Sequence, residues 1–455
     1  MANDTAVLEA AVRRAMAVED KPSLLVLRSH IGWPSPAFTD TAKAHGSPFG
    51  ADEVRKVKEI LGLPPDEAFW APGEVVDLYR RCIPRGQALR GEWQRRFDAW
   101  TGDKTAWAAA QAGHGVPGWE SKLPTFEMGT ELATRRAINQ VLDATAGVVP
   151  GLVTGSADLT ENTGVELAGA QAQSLADQGG LQVHYGIREH AMAGAMNGMA
   201  LHGGTLPVGG TFFVFSDYMR PSVRLAALSE AHVVYFWTHD SVGLGEDGPT
   251  HQPVEHLAAL RAMPGLRVVR PADANECAHA WRLAVDSPGP TALVLSRQSL
   301  PVLDGTAGAY DGVARGAYVL ARAEGDRPDV TLVATGSEVH ICVEAMALLG
   351  NGDGGVPLRA QVVSFPCWEL FALQPGTYQA SVLPDDVPTL AVEAAASFGW
   401  DRYADDAVAL DHFGASAPGA AALEHFGFTP ANVAARARQL VSTASITRQR
   451  PRPRP

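Results

Sequence analysis

Two histidines and three acids crowd into one Gly-rich stretch, THDSVGLGEDGPTHQP at residues 238–253, directly after the apolar run VVYFW. A run of that kind makes a buried strand, and the loop at a strand's carboxyl end is where open α/β sheets bind their ligands. His239, Asp240, Asp247 and His251 supply the donors and acceptors that a hydroxylated substrate needs. The same four side chains are metal-ligand types, so a metal-dependent hydrolase is a second reading, although they lack a tight ligand spacing. Gly243, Gly245 and Gly248 spell G-x-G-x-x-G. Glu246 and Asp247 would set negative charge where a pyrophosphate must lie, and Pro253 interrupts before a helix can begin, so no dinucleotide site is expected.

Upstream, HYGIREHAMAGAMNGMALHGG at 184–204 reads as a strand followed by a small-residue helix with Glu189 near its start. By itself such a carboxylate is a helix-terminal group stabilised by the dipole. YGIREH and GLGEDGPTHQP together, however, closely resemble transketolases, thiamine-diphosphate enzymes that move two-carbon ketol units between sugar phosphates. The resemblance extends across nearly the whole chain. It implies that Glu189 hydrogen-bonds N1′ of the aminopyrimidine, while the cofactor itself carries the hard chemistry. Phe212, Phe215 and Tyr218 in TFFVFSDY match the aromatics of the pyrimidine slot, although that spacing alone reads as helix core. Asp158 in GSADL matches an acid near the cofactor that also links subunits.

For the substrate, the resemblance assigns Arg135, His239 and Arg297 to a phosphate group, a role that suits the bidentate guanidinium. Asn162 stands where a serine is usual in the phosphate site. Asp247 matches the acid that bonds the C2 hydroxyl, and His251 a histidine placed for proton transfer at the carbonyl. His45, in AHGSPFGADEV, matches an active-site histidine near the substrate; read alone, it is a local hydrogen bonder at a helix entry. The implied cofactors are thiamine diphosphate and Mg2+. A GDG followed by Asn, the family's diphosphate and metal element, has no counterpart in a matching context. GNGDGG at 350–355 lies between a helix and a strand and reads as a turn. The metal and diphosphate ligands are therefore expected in a missing N-terminal segment, on which activity would depend, and no metal ligand is assigned here. The expected partners are sugar phosphates and a second subunit, as a homodimer or with an N-terminal transketolase subunit. The alternative from a different class is a non-catalytic fragment that pairs with a partner chain.

The elements that must position these residues follow from the patterning. Residues 5–18 have helical spacing, and KPSLLVLRSHIGWPSP reads as a strand running into a Pro-rich loop. Helical patterns fill 53–112 and read as a helical connector, and GHGVPGW marks a boundary; the resemblance implies that 1–118 is the end of the diphosphate-binding domain with that connector. From 119 to 305, strands alternate with helices, which predicts an α/β fold with a mostly parallel sheet covered on both faces. A smaller α/β C-terminal domain is expected over 313–443, with a packing and dimer role, and a disordered Pro/Arg-rich tail over 444–455. GASAP at 414–418 lacks the second glycine of a nucleophile elbow.

Composition sets the remaining bounds. At 455 residues and 46% apolar, the chain can bury several cores, and a formal charge of -13 does not suit coating nucleic acid or an anionic membrane. Cys82, Cys277, Cys342 and Cys367 form no C-x-x-C, so neither a disulfide framework nor a zinc knuckle is expected. No long apolar run or basic leader appears, which points to a cytoplasmic protein.

Overall fold

The structure, a computed structural model, describes residues 3–325 and 327–447. The chain divides into one unit up to Gly102 and a second from Asp103. The first unit is helical, with helices Thr5–Met16, Ala51–Ile60, Gly73–Arg80 and Cys82–Ala99. Asp4 caps the opening helix by accepting from the Val7 N–H at 3.1 Å. Among the described residues of this unit only Ser35 and Glu53 are buried, and they bond to each other at 2.5 Å. The strand expected in KPSLLVLRSHIGWPSP does not form. Its apolar side chains are exposed, Leu24 at 89% and Val26 at 81%, and its backbone has no ladder partner. Alternation and β-propensity describe a half-buried surface, and without a neighbouring strand they fix no sheet.

The second unit carries thirteen strands among its described residues. In chain order they are β1 Glu131–Ala133, β2 Leu152–Ser156, β3 Gln182–His184, β4 Leu206–Phe212, β5 Val234–Thr238, β6 Arg267–Val269 and β7 Thr291–Leu295. Then follow β8 Ser299–Pro301, β9 Tyr318–Ala321, β10 Val330–Ala334, β11 Ala360–Ser364, β12 Thr389–Val392 and β13 Asp406–Val408. Six of them form an all-parallel sheet in the order β3-β2-β4-β5-β7-β6. Alternate side chains go to opposite faces. In β5, Val234 and Phe236 enter one core while Tyr235 and Trp237 enter the other, and Leu293 and Val294 of β7 divide the same way. Helices Thr134–Thr145 and Ala274–Asp286 cover the first face, and Glu189–His202 and Ser216–Leu228 the second. This is the covered parallel sheet that the patterning predicts.

The C-terminal sheet runs β13-β12-β10-β11-β9, with β9 antiparallel to β11 and the other pairs parallel. A two-stranded ribbon of β1 and β8 stands apart. β1, β8 and β13 are three residues each, too short to show a period in the sequence. The last helix, Pro430–Thr447, extends into the stretch expected to be a tail, and 448–455 lie outside the described residues. No helix among the described residues is long and apolar enough to cross a membrane.

A buried carboxylate joins the two sheets. Glu276 accepts from the hydroxyls of Tyr318 on β9 at 2.7 Å and Ser364 on β11 at 2.6 Å, and from the Ala272 N–H at 2.8 Å. Burial, with Asp273 adding repulsion, pushes its pKa up to about 7 against the pull of those donors. The native state therefore holds a proton that the unfolded state releases between roughly pH 4.5 and 7, so stability falls as pH rises through that window. Denaturant titrations of Glu276→Gln, which cannot ionise, should show a stability relative to wild type that improves by up to about 3 kcal/mol from pH 5 to 8. A pH-independent difference would show that Glu276 stays ionised throughout.

Candidate active site

Because all six strands of the large sheet are parallel, their carboxyl ends share one edge. Asp158 follows the end of β2, Glu189 follows β3, Phe212 ends β4, His239 follows β5 and Arg297 follows β7. The chain passes from β2 outward to β3 on one side, then returns through β4 to β5 on the other. The crevice beside β2 and β4 is thus the topological switch point, where such sheets take their ligands. A cleft of about 450 Å³ opens on the other side of β2, beyond the ends of β2 and β3, lined by Asp158, Leu159, Asn162, His184, Gly186 and Arg188 among others.

Backbone strain marks the same edge. Asp158 and His239 have φ of 64° and 65°, in the left-handed region that residues other than glycine rarely occupy. Such conformations cost about 1–2 kcal/mol each and persist where surrounding contacts over-determine them. His239 is 3% exposed, and its ring centroid lies 3.7 Å from that of Phe212. Phe215 stacks near Phe212 at 5.8 Å, meets His251 edge-on at 5.4 Å and leads to Tyr218 at 6.0 Å. The two histidines and the three aromatics of the sequence analysis therefore form one continuous wall. On the helix Glu189–His202, Glu189 is 8% exposed at the first position. His190 beside it meets the Ser222 hydroxyl at 3.2 Å, which ties this helix to the one carrying Tyr218.

The phosphate candidates gather as a positive corner. Arg135, at the start of its helix, donates Nη1 to the Asn162 carbonyl at 3.2 Å and to Asn162 Oδ1 at 3.3 Å. Its pKa is lowered by burial and then by the like charges of Arg136 and Arg297. Its Nε is buried with no hydrogen-bond partner among the described residues. Burial first, then Arg135, Arg297 and His251, push the His239 pKa down to about 3, so its imidazole is neutral. Thr238 Oγ1 can give its one hydrogen to His239 Nδ1 at 2.8 Å or to the Asn162 carbonyl at 3.3 Å. Either direction of the shorter contact holds the His239 ring in one orientation. Thr238 is a positioning residue that sequence reasoning missed, since a threonine ending a strand carries no signal of its own. Asn162 Oδ1 faces Arg135, so its amide hydrogens remain for a ligand.

Asp247 is exposed on the glycine-rich loop, and the C-terminal domain holds that loop in shape. Gly245 and Gly248 turn it with φ of 106° and 74°, which explains two of the three glycines without a dinucleotide. Gln252 is buried and donates its amide to the carbonyls of Ala415 at 2.9 Å and Gly245 at 3.1 Å. Ser416 donates to the Glu246 carbonyl at 2.6 Å, and a Cβ on Gly419 would fall 2.2 Å from the Gly243 carbonyl oxygen. GASAP is therefore a clamp on the loop.

Of the remaining residues, one belongs to the first unit and one is committed to an ion pair. His45 is an exposed residue closing the 3₁₀ turn Ala42–His45 of the first unit. Asp240 turns away from the crevice and meets Arg270 at 2.7 Å in a buried ion pair. With Asp240 so committed, the metal set of His239, Asp240, Asp247 and His251 is corrected. The cluster spaced for a metal among the described residues contains none of the four.

Comparison with known proteins gives three family models along the chain. Residues 1–114 match the transketolase thiamine diphosphate binding domain, 130–302 the transketolase pyrimidine binding domain and 316–429 the transketolase-like TK C-terminal domain. Transketolase of Mycobacterium bovis is 46% identical over 435 residues, covering 90% of this chain and 61% of that protein. Transketolase of Geobacillus stearothermophilus is 44% identical over 451 residues, covering 96% and 67%. Among solved structures, transketolase from Leishmania mexicana has a TM-score of 0.87 at 39% identity, covering 97% of this chain and 65% of that one. A Pichia stipitis transketolase complexed with sedoheptulose-7-phosphate has a TM-score of 0.88 at 38% identity, covering 97% and 66%. The chain thus spans 61% to 67% of the length of the two curated relatives. The match over 1–114 assigns the first unit to the thiamine diphosphate binding domain, so the expectation that a missing segment supplies that domain is not borne out. That expectation rested on a short motif, whereas the match takes in the helices of the first unit, whose amphipathic spacing alone names no domain.

The electrostatics of the corner yield a direct test. Imidazole 15N spectra should show His239 as a neutral ring with no titration between pH 5 and 8, unlike an ordinary histidine near 6.5. A midpoint inside that range would mean that the corner is hydrated and its charges screened.

Proposed function

The chain belongs to the transketolase family, and from that premise we propose that it transfers a two-carbon ketol unit from a ketose phosphate to an aldose phosphate, using thiamine diphosphate with Mg2+. Bound there, the cofactor supplies the carbanion chemistry that cuts and remakes a carbon–carbon bond next to a carbonyl. The residues present fit its pyrimidine half: a buried carboxylate, Glu189, and the rings of Phe212, Phe215 and Tyr218. In this reading Glu189 exchanges a proton with N1′ of the aminopyrimidine, and the rings exclude water from it. Asp158 lies near the cofactor and links subunits of a homodimer in the cytoplasm.

Substrate handling falls to the corner. Arg135, Arg297, His239 and the Asn162 amide bind the phosphate. Asp247 accepts from the C2 hydroxyl, His251 moves a proton at the carbonyl oxygen, and His45 approaches the same substrate. The observation that carries this reading is the pair of like-charged arginines beside a neutral, buried histidine at the carboxyl edge of the sheet. Such a corner is repulsive by itself and complementary to a compact anion.

Replacing Arg297 by Ala in protein supplied with thiamine diphosphate and Mg2+ should raise KM for sugar phosphates by about ten- to a hundredfold, the cost of a charged hydrogen bond. A non-phosphorylated acceptor such as glycolaldehyde should be far less affected. Equal losses for both acceptors would remove Arg297 from the phosphate site.

Glu189→Gln is nearly isosteric and should leave the fold and cofactor affinity close to wild type. Turnover should drop by about two orders of magnitude or more, the range for losing a proton-transfer group. If turnover stays near wild type, Glu189 serves only the helix terminus.

A further inference from the structure

On the far side of the aromatic wall lies a second polar cluster with no part in the reading above. Asp217 precedes Tyr218 on the helix Ser216–Leu228, and Glu255 and His256 follow the loop that carries His251. His256 is 5% exposed, and both of its ring nitrogens are buried without a hydrogen-bond partner. Yet carboxylate oxygens stand close. Asp217 Oδ2 is 3.2 Å from Nε2, and Glu255 Oε2 is 3.8 Å from Nδ1. One ligand atom from each of the three residues lies within 4.8 Å of the others.

A buried imidazole nitrogen without an aligned partner is costly unless something not of the protein completes it, and one ion completes the Nε2 that Asp217 faces. The Asp217 contact has the distance of an ion pair without the alignment of a hydrogen bond. A bridging metal explains that combination. Two bonds of about 2.1 Å to the imidazole nitrogen and the carboxylate oxygen span a 3.2 Å separation at an angle of about 100°, with the ion off the line that a proton would occupy. One imidazole and two carboxylates match the charge of a divalent ion, and the nitrogen favours a transition ion over Mg2+ or Ca2+. Asp217 and Glu255 have side chains 59% and 61% exposed, so both can adjust to close the ligand set and the ion has an entry path.

We propose that Asp217, Glu255 and His256 bind a divalent transition-metal ion of the Zn2+ class, which staples the helix bearing Tyr218 to the segment that follows His251. The ion is structural, since none of its three ligands lines the cleft or belongs to the positive corner.

Zn2+ titration of untagged, metal-stripped protein tests this, in a Cys82→Ser background because Cys82 is an exposed thiol. The expected result is one Zn2+ per chain, raised thermal stability on loading, and no comparable binding of Mg2+. Asp217→Asn and Glu255→Gln change exposed side chains and should leave the apo fold intact. Each should weaken Zn2+ by about tenfold or more. Co2+ loaded at the same site should show visible absorption bands that Asp217→Asn abolishes. Absence of stoichiometric binding, or equal Zn2+ affinity in wild type and both variants, overturns the proposal and leaves His256 as the centre of a misaligned ion pair.

Discussion

The guanidinium of Arg270 has no contact with solvent, and the structure around the active-site edge depends on how its charge is met. Burial alone would lower its pKa, but Glu338 and Asp240 outweigh that and raise it. Nε and Nη2 donate to Asp240 at 3.0 and 2.7 Å, Nη1 to Glu338 and to Thr335, and Nη2 also to Ser337. A second buried arginine, Arg261, meets Glu393 through two parallel bonds at 2.9 and 2.7 Å, and Thr335 joins the two sets by donating to Glu393 at 2.6 Å. Burying such groups costs about what their attraction returns, so the network adds little net stability. Breaking it by removing one partner would cost about 3–5 kcal/mol. Its physical effect is specificity, because only one arrangement of the two sheets satisfies every member.

That constraint reaches the chemistry through adjacency in the chain. Asp240 belongs to the pyrimidine-domain loop and Glu338, Thr335 and Ser337 to the C-terminal domain, so locking Asp240 fixes the residue before it, His239, in its left-handed conformation. The Gln252 and Ser416 bonds hold the same loop further along. The C-terminal domain thus acts on the site by positioning, with the ion network at one end of the loop and the GASAP clamp at the other. Strain at His239 is maintained because both ends are held by groups that have no alternative partners at that depth.

The sequence made the large sheet legible because its strands carry long apolar runs bounded by glycine and proline, and its helices alternate with them. The site was legible for a different reason. YGIREH, GLGEDGPTHQP and TFFVFSDY sit at strand ends, so naming the strands places their residues on one edge. What could not be read is what depends on pairs distant in the chain. Asp240 looked like a ligand in a polar loop, and only the arrival of Arg270 from the end of β6 shows it to be structural. The segment 22–30 looked like a strand because propensity is local, while a ladder is not. GASAP resembled a failed nucleophile motif because its actual work, holding carbonyls of residues 170 positions away, leaves no local pattern.

The positive corner also explains how an acidic protein can select an anion. A chain of formal charge -13 offers no general attraction to sugar phosphates, so selection must come from local design. Burial first, then Arg136 and Arg297, lower the preference of Arg135 for charge, and His239 is kept neutral rather than adding a further cation. A neutral histidine takes its place there without deepening the repulsion. The stored repulsion between the arginines is relieved only by a ligand that places negative charge between them. A phosphate dianion does so with bidentate geometry, while a neutral hydroxyl merely replaces water. In the proposed reading, discrimination between phosphorylated and free sugars therefore rests on relief of existing repulsion as much as on new contacts, and it requires the loop to hold His239 where its neutral ring, and no further charge, meets the ligand.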